Sequence, residues 1–191
     1  MENNQTPEKQ SAVKELVLPV VVLVAICLVC SALLAVLNDV TAPIIEENTR
    51  AETLASYLSV LPEGTAEADM TELENLTTEG VQGAVTTASG AAAVKAAAAG
   101  YSGKDVTVYV AFDANGAIAN LTVDASTQTT GIGSKVAEEG FTAGFIGWNG
   151  GAVSSGAPVD GIASATYSSD AVFDAVNAVI DCYNNEIKGG M

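Results

Sequence analysis

Twenty-two consecutive residues, Leu16 to Leu37, carry no charged side chain. At about 1.5 Å per residue, a helix of that length crosses a hydrocarbon layer roughly 30 Å thick. A lone segment in lipid must satisfy its own backbone hydrogen bonds, and a helix does so. The chain is therefore expected to divide into a short N-terminus (1–15), a transmembrane helix (16–37) and a water-exposed remainder. Pro19 is expected in the first turn of the span, where a missing N–H costs little. A cleaved secretory signal would have an apolar core of only about 7 to 15 residues and a small-x-small cleavage site. This run is too long, and the large Ile26 and Val29 directly before Cys27 and Cys30 are unlike a lipoprotein signal.

Lys9 and Lys14 precede the span, whereas the first basic residue after it is Arg50. By the positive-inside rule, a single-pass protein of the cell (inner) membrane is expected, with its N-terminus in the cytoplasm and residues 38–191 outside. That outer part, about 150 residues, suffices for one domain with its own core. Glu2, Glu8, Glu15, Lys9 and Lys14 lie before it, so of 23 acidic and 7 basic residues it keeps 20 and 5, a formal charge of −15. Such a surface repels nucleic acid and anionic headgroups, and a solvated acidic face accounts for most of its carboxylates. The chain has no histidine, which removes Ser-His-Asp triads, imidazole metal ligands and histidine-ligated haem. No catalytic residue and no independent catalysis are expected. Cys27 and Cys30 fall inside the span and Cys182 stands alone, so no external disulfide framework is expected. The spacing of Cys27 and Cys30 puts both thiols on one helix face, where they could share a metal with a neighbouring subunit. Free cysteines more commonly pack as small hydrophobes, and no metal site is expected.

Beyond the span, Thr41 and Pro43 open a second helical pattern through Ile44, Ile45, Ala51, Ala55, Leu58 and Leu61. It predicts a juxtamembrane helix, 38–62, continuing from the membrane exit and closed by Pro62 and Gly64; the folded domain is 63–191. Residues 63–90 are acidic, Thr-rich and Gly-punctuated, which predicts irregular structure. Residues 91–99, AAAVKAAAA, have high helix propensity, yet Gly90 and Gly100 bracket them and nine residues make a marginal helix. From Asp105 to Phe112 the apolar Val106, Val108, Val110 and Phe112 alternate with Thr107, Tyr109 and Ala111, the pattern of a half-buried strand. Asn115-Gly116 supplies a hairpin turn and Ile118 to Val123 the partner strand.

Two segments carry candidate chemistry. Gln128-Thr129-Thr130-Gly131-Ile132-Gly133-Ser134-Lys135 is a glycine turn, where backbone could approach a flat ligand closely or simply form a loop. Asp160-Gly161-Ile162-Ala163-Ser164-Ala165-Thr166 is a small-residue turn ahead of a helix marked by the stripe Val172, Phe173, Val176, Val179, Ile180 and Tyr183. Ser168 or Ser169 is the expected N-cap. Unpaired N–H groups and the positive end of the helix dipole would favour a phosphate on or near Thr166; an ordinary capped helix fits the same residues.

The single N-terminal span running into ALLAVLNDVTAPIIEEN, the hairpin GYSGKDVTVYVAFDANGAI, TTGIGSK and DGIASATYSS together resemble the G subunit of the Rnf ion-translocating electron-transfer complex. The C subunit of the sodium-translocating NADH:quinone oxidoreductase is similar at greater distance. The resemblance implies an α+β fold: one transmembrane helix followed by one extracytoplasmic FMN-binding domain, with residues 91–99 as a strand. In the family, Asp, two variable residues, Ser or Thr, Gly or Ser, and Ala-Thr precede the helix, and the final threonine carries FMN in a phosphoester bond. Asp160, Ser164, Ala165 and Thr166 match, while Ala163 replaces the expected hydroxyl residue. Thr166 is thus the implied covalent site. The family's Glu-Thr-Pro-Gly-Leu-Gly corresponds here to Gln128 through Gly133; Gly131, Ile132 and Gly133 are the implied contacts to the flavin, with Ser168 beside them and Tyr101 and Ser102 as further candidates. A threonine hydroxyl is a poor nucleophile without a base. With no histidine available, attachment needs another enzyme, and the resemblance implies a flavin transferase using FAD.

The resemblance implies an electron-relaying subunit among the other Rnf subunits, in a complex coupling ferredoxin:NAD oxidoreduction to Na⁺ or H⁺ translocation. The alternatives are a component of the sodium-pumping quinone reductase, a stand-alone anchored extracellular flavoprotein, and a cofactor-free surface binding module.

Overall fold

A computed structural model of the chain describes residues 8–188; the expected N-terminal segment lies partly outside them. The chain divides after Ala51 into two compact units. Helix α1 runs Glu8–Val60 without a break where span and juxtamembrane helix were expected to meet, and Pro19 and Pro43 both lie inside it. Pro19 is therefore not in a first turn: the helix begins eight residues ahead of Leu16, over a stretch with good helix formers. In the first unit the apolar residues of α1 are exposed, among them Leu16 at 77 %, Leu28 at 66 % and Leu34 at 67 %. A helix that is apolar all round and unburied by its own chain has the form of a membrane anchor.

The second unit is α+β. Five strands, β1 (Met70–Leu73), β2 (Val81–Thr87), β3 (Ala92–Ala99), β4 (Asp105–Phe112) and β5 (Ile118–Asp124), pair antiparallel in chain order. Three short elements follow, a 3₁₀ turn at Gly133–Ala137, α2 at Glu139–Thr142 and a second 3₁₀ turn at Ala143–Phe145, and then α3 at Thr166–Cys182. β4 is the strand that alternation predicts. Val106, Val108, Val110 and Phe112 face α3 in the main core, and Tyr109 and Ala111 join Tyr57, Val60, Leu61, Val85 and Ala93 on the opposite face. Asn115-Gly116 makes the turn, with Gly116 at φ 84°, a left-handed conformation that suits glycine. A bulge separates the pairs Ala111↔Asn120 and Phe112↔Ile118, so Ile118 and Leu121, of opposite parity, both reach the core.

A second expectation needs correction. Residues 63–90 are not wholly irregular, since β1 and β2 lie within them. The alanine run is a strand, as the resemblance implies, and against its helix propensity. β3 pairs with β4 over eight residues and with β2 on its other side, and Ala93, Val94 and Ala96 are fully buried. Ladder hydrogen bonds on both edges outweigh a preference worth at most a few tenths of a kcal/mol per residue. α3 covers one sheet face with the expected stripe, of which Val172, Phe173, Val176, Val179 and Tyr183 are buried and Ile180 partly so. Phe141 and Phe145 pack edge to face at 5.5 Å and both approach Phe173, forming an aromatic cluster within the main core.

Candidate functional site

The start of α3 is made by a tight turn. Ala165 N–H donates to Ile162 O at 3.0 Å, and Ser164 between them has φ 68°, a left-handed conformation uncommon for a residue with a side chain. The first intrahelical bond runs from Ser169 N–H to Ala165 O at 2.9 Å. The N–H groups of Thr166, Tyr167 and Ser168 therefore precede the helical ladder and have no intrahelical acceptor. The N-cap position is Ala165, not Ser168 or Ser169. Both serine hydroxyls are buried and serve other bonds: Ser168 Oγ donates to Gln128 Oε1 at 2.9 Å, and Ser169 Oγ accepts from Ile162 N–H at 3.0 Å.

Against this helix start lies an open cleft of about 410 Å³, within the roughly 300–1,000 Å³ usual for small-molecule sites. Its walls are the helix entry (Ser164 to Ser168), the glycine turn (Thr129, Ile132, Gly133) and Tyr101. The rings of Tyr101 and Tyr167 stand 6.2 Å apart at an angle of 57°. Beyond α1, the large apolar side chains left exposed among the described residues are Tyr101, Ile132, Ile146 and Tyr167, and three of these four line the cleft. Exposed apolar surface gathered at one concavity is a ligand-binding signature. No charged side chain lines it.

The two glycines of the turn have different reasons. Gly131 adopts φ 75°, and a Cβ there would meet nothing within 4 Å. At Gly133 a Cβ would fall 2.6 Å from Ser168 Oγ and 2.9 Å from Gln128 Cβ, so glycine is what lets the turn lie against α3.

Of the residues singled out in the sequence, Thr166, Ser164, Ala165, Ile132, Gly133 and Ser168 come together at the cleft, as does Tyr101. Gly131 shapes the turn from outside the lining. Asp160 is not brought to the cleft: its Oδ1 lies toward Gly156, 3.7 Å from where a Cβ on that glycine would be. Tyr167, Thr129 and the buried Gln128 carry parts of the site that sequence reasoning did not assign. Tyr167 adjoins Thr166 and could have been flagged as an aromatic beside an anion anchor; nothing in the sequence marks Gln128 as buried. Among the described residues no cluster of ligating side chains suits a metal ion.

Comparison with known families gives two matches. A family described as the FMN-binding domain matches residues 100–181, which include every residue lining the cleft. One described as the RnfG N-terminal region matches residues 20–60, which lie within α1. No curated protein matches the chain significantly. The residues present fit FMN: exposed tyrosine rings and Ile132 offer apolar walls for a planar ring. Free N–H groups at the start of α3, beside the exposed Thr166 hydroxyl, suit a phosphate.

Proposed function

We propose, from the premise that this chain belongs to the RnfG family and joins an RnfG N-terminal region to an FMN-binding domain, that it is the membrane-anchored, covalently flavinylated subunit of an Rnf-type complex. In that role it relays electrons in a machine coupling ferredoxin:NAD oxidoreduction to Na⁺ or H⁺ translocation. The match over residues 20–60 supports Rnf over the quinone reductase, and the flavin-domain match argues against a cofactor-free module. The observation that carries the reading is the position of Thr166: an exposed hydroxyl on the first residue of α3, in the wall of a cleft rimmed by exposed aromatic rings.

The chain supplies the anchor, the acceptor and the walls. On this reading Thr166 Oγ1 would be the acceptor for FMN transferred from FAD by a flavin transferase, its new bond to the flavin-side phosphorus replacing the pyrophosphate bond, with AMP as leaving group and the hydroxyl proton passing to the transferase or to water. With no histidine in the chain to act as base, the reaction is assigned to a separate enzyme. Ser164, held at φ 68°, presents the turn outward, and the N–H groups of Thr166, Tyr167 and Ser168 stabilise phosphate charge. FMN, when bound, supplies the one- and two-electron redox chemistry. Tyr101, Ile132 and Tyr167 would offer apolar contact to its ring on the cleft side. The positive-inside bias of Lys9 and Lys14 supports a domain outside the cytoplasm, where a lost cofactor could not be recaptured and a covalent bond would secure it.

Mass spectrometry of the peptide spanning Thr166, from a host that has the transferase, tests the reading. The expected mass carries FMN less one water, and Thr166→Val removes it while the chain remains folded. An unmodified Thr166 in active material, or in-gel flavin fluorescence retained by T166V, overturns it.

A further inference from the structure

Gln128 is 6 % exposed, and its side-chain amide is fully employed. Oε1 accepts from Tyr101 N–H at 3.0 Å and from Ser168 Oγ at 2.9 Å; Nε2 donates to Lys104 O at 2.9 Å and to Thr127 Oγ1 at 3.0 Å. The backbone N–H can only donate and the carbonyl can only accept, so the network itself fixes which end is oxygen. Packing holds the amide as firmly: a Cβ on Gly100 would come within 2.7 Å of Oε1, and one on Gly133 within 2.9 Å of the Gln128 Cβ. The loop carrying Tyr101 otherwise closes on itself, through Gly100 N–H to Lys104 O, Gly103 N–H to Gly100 O and Lys104 N–H to Tyr101 O. One side chain thus ties together the Tyr101 loop, the glycine turn and the first turn of α3, which are the three walls of the cleft.

We propose that Gln128 is a positioning residue, whose amide sets the spacing across the cleft between Tyr101 and the Thr166 turn and so fixes the orientation of a planar ring held between them. This rests on the flavin reading above, and the test separates the two. In the full-length T166V chain in detergent, where no flavin is attached, Gln128→Met keeps the length of the side chain and removes its hydrogen bonds. The amide of Tyr101 is then expected to exchange about tenfold faster, the loss of one part-buried hydrogen bond. In the flavin-loaded chain, Q128M is expected to keep FMN on Thr166 by mass, with lower flavin fluorescence anisotropy and greater quenching by iodide. Ser168→Ala cuts only the tie to α3, so it should lower the anisotropy and leave the Tyr101 amide protected; it decides the matter if Q128M does not fold. Tyr101 exchange within twofold of the parent in Q128M, or unchanged anisotropy in S168A, overturns the proposal. A parent chain that carries no FMN defeats the flavin reading and leaves the exchange measurement standing.

Discussion

Replacing Gly133 with alanine puts one methyl group where two buried side chains already meet. The added Cβ would lie 2.6 Å from Ser168 Oγ and 2.9 Å from Gln128 Cβ, while Ser168 Cβ, at 3.5 Å, is in ordinary contact. Neither crowded atom is the free end of a flexible side chain, since Ser168 is 2 % exposed and its hydroxyl is bonded to Gln128. Relief requires the glycine turn to back away, at an overpacking cost of about 1–3 kcal/mol, and the hydroxyl bond to break with it, at about 1 kcal/mol more. Gly133→Ala should therefore lose about 2–4 kcal/mol. Gly131→Ala, where the methyl meets open space and only φ 75° is strained, should lose about 1–2 kcal/mol. Denaturant unfolding of the full-length chain in detergent measures both, followed by the fluorescence of Trp148, the chain's single tryptophan. Ser168→Ala in the Gly133→Ala background removes the shorter contact, so the double mutant should be more stable than the two single losses added together. A Gly133→Ala loss below about 0.5 kcal/mol, well under the overpacking range, or strictly additive losses in the cycle, would refute the reasoning.

Glu186 accepts hydrogen bonds from the Thr78 hydroxyl, from the N–H groups of Thr77 and Thr78 at 2.9 and 2.8 Å, and from the Thr77 hydroxyl, and these bonds hold its carboxyl below the usual carboxylate range. The ionised form is the one the fold favours. Its stabilisation is present above the ordinary glutamate pKa and disappears as pH falls through the lowered one. Glu186→Gln should therefore flatten the acid limb of the stability–pH curve, and an unchanged limb would contradict the clamp. Burial, with the nearby Glu186 charge second, pushes the Cys182 thiol up to about 11. Here the protonated form is favoured, so its contribution is present below the ordinary thiol pKa and is lost as pH rises through about 11. In a Cys27→Ala, Cys30→Ala background, maleimide should leave Cys182 unlabelled at pH about 8 until urea is added; rapid labelling of folded protein would count against its burial.

The readable parts of the fold were those in which one physical pattern acts alone. β4 showed strict alternation and an Asn-Gly turn follows it, and α3 showed a 3.6-residue stripe, so both were legible. β3 was not, because alanine has little to say about strands and its burial on both faces comes from α3 on one side and Tyr57 with Val60 on the other. β1 and β2 hid behind threonines, glycines and carboxylates that read equally well as loop, and their pairing partners are what make them strands. At the site, the sequence pointed to Thr166 and to the glycine turn separately. What it withheld was the join: Ser168 and Ser169 look like N-caps, yet their hydroxyls are spent on Gln128 and on Ile162 N–H, because the N-cap of α3 is Ala165, three and four residues earlier, at the strained turn.

The shape of the cleft bears on why such a site would hold its ligand covalently. Tyr101 and Tyr167 remain 55 % and 69 % exposed, and Ile132 46 % exposed, so the cleft is a shallow trough rather than an enclosed pocket. Burial on that scale leaves much of a planar ligand in water, and the apolar contact available is too small to set against the entropy of holding it. No charged side chain lines the trough to make up the difference. On the proposed reading, a bond through Thr166 would remove the retention problem from the cleft, whose walls would then need only to orient the ring. An open edge is what exchange of electrons with a neighbouring subunit requires. The same reading accounts for a site whose buried part is Gln128, with Gly100 and Gly133 packed against it, while the aromatic rim stays exposed.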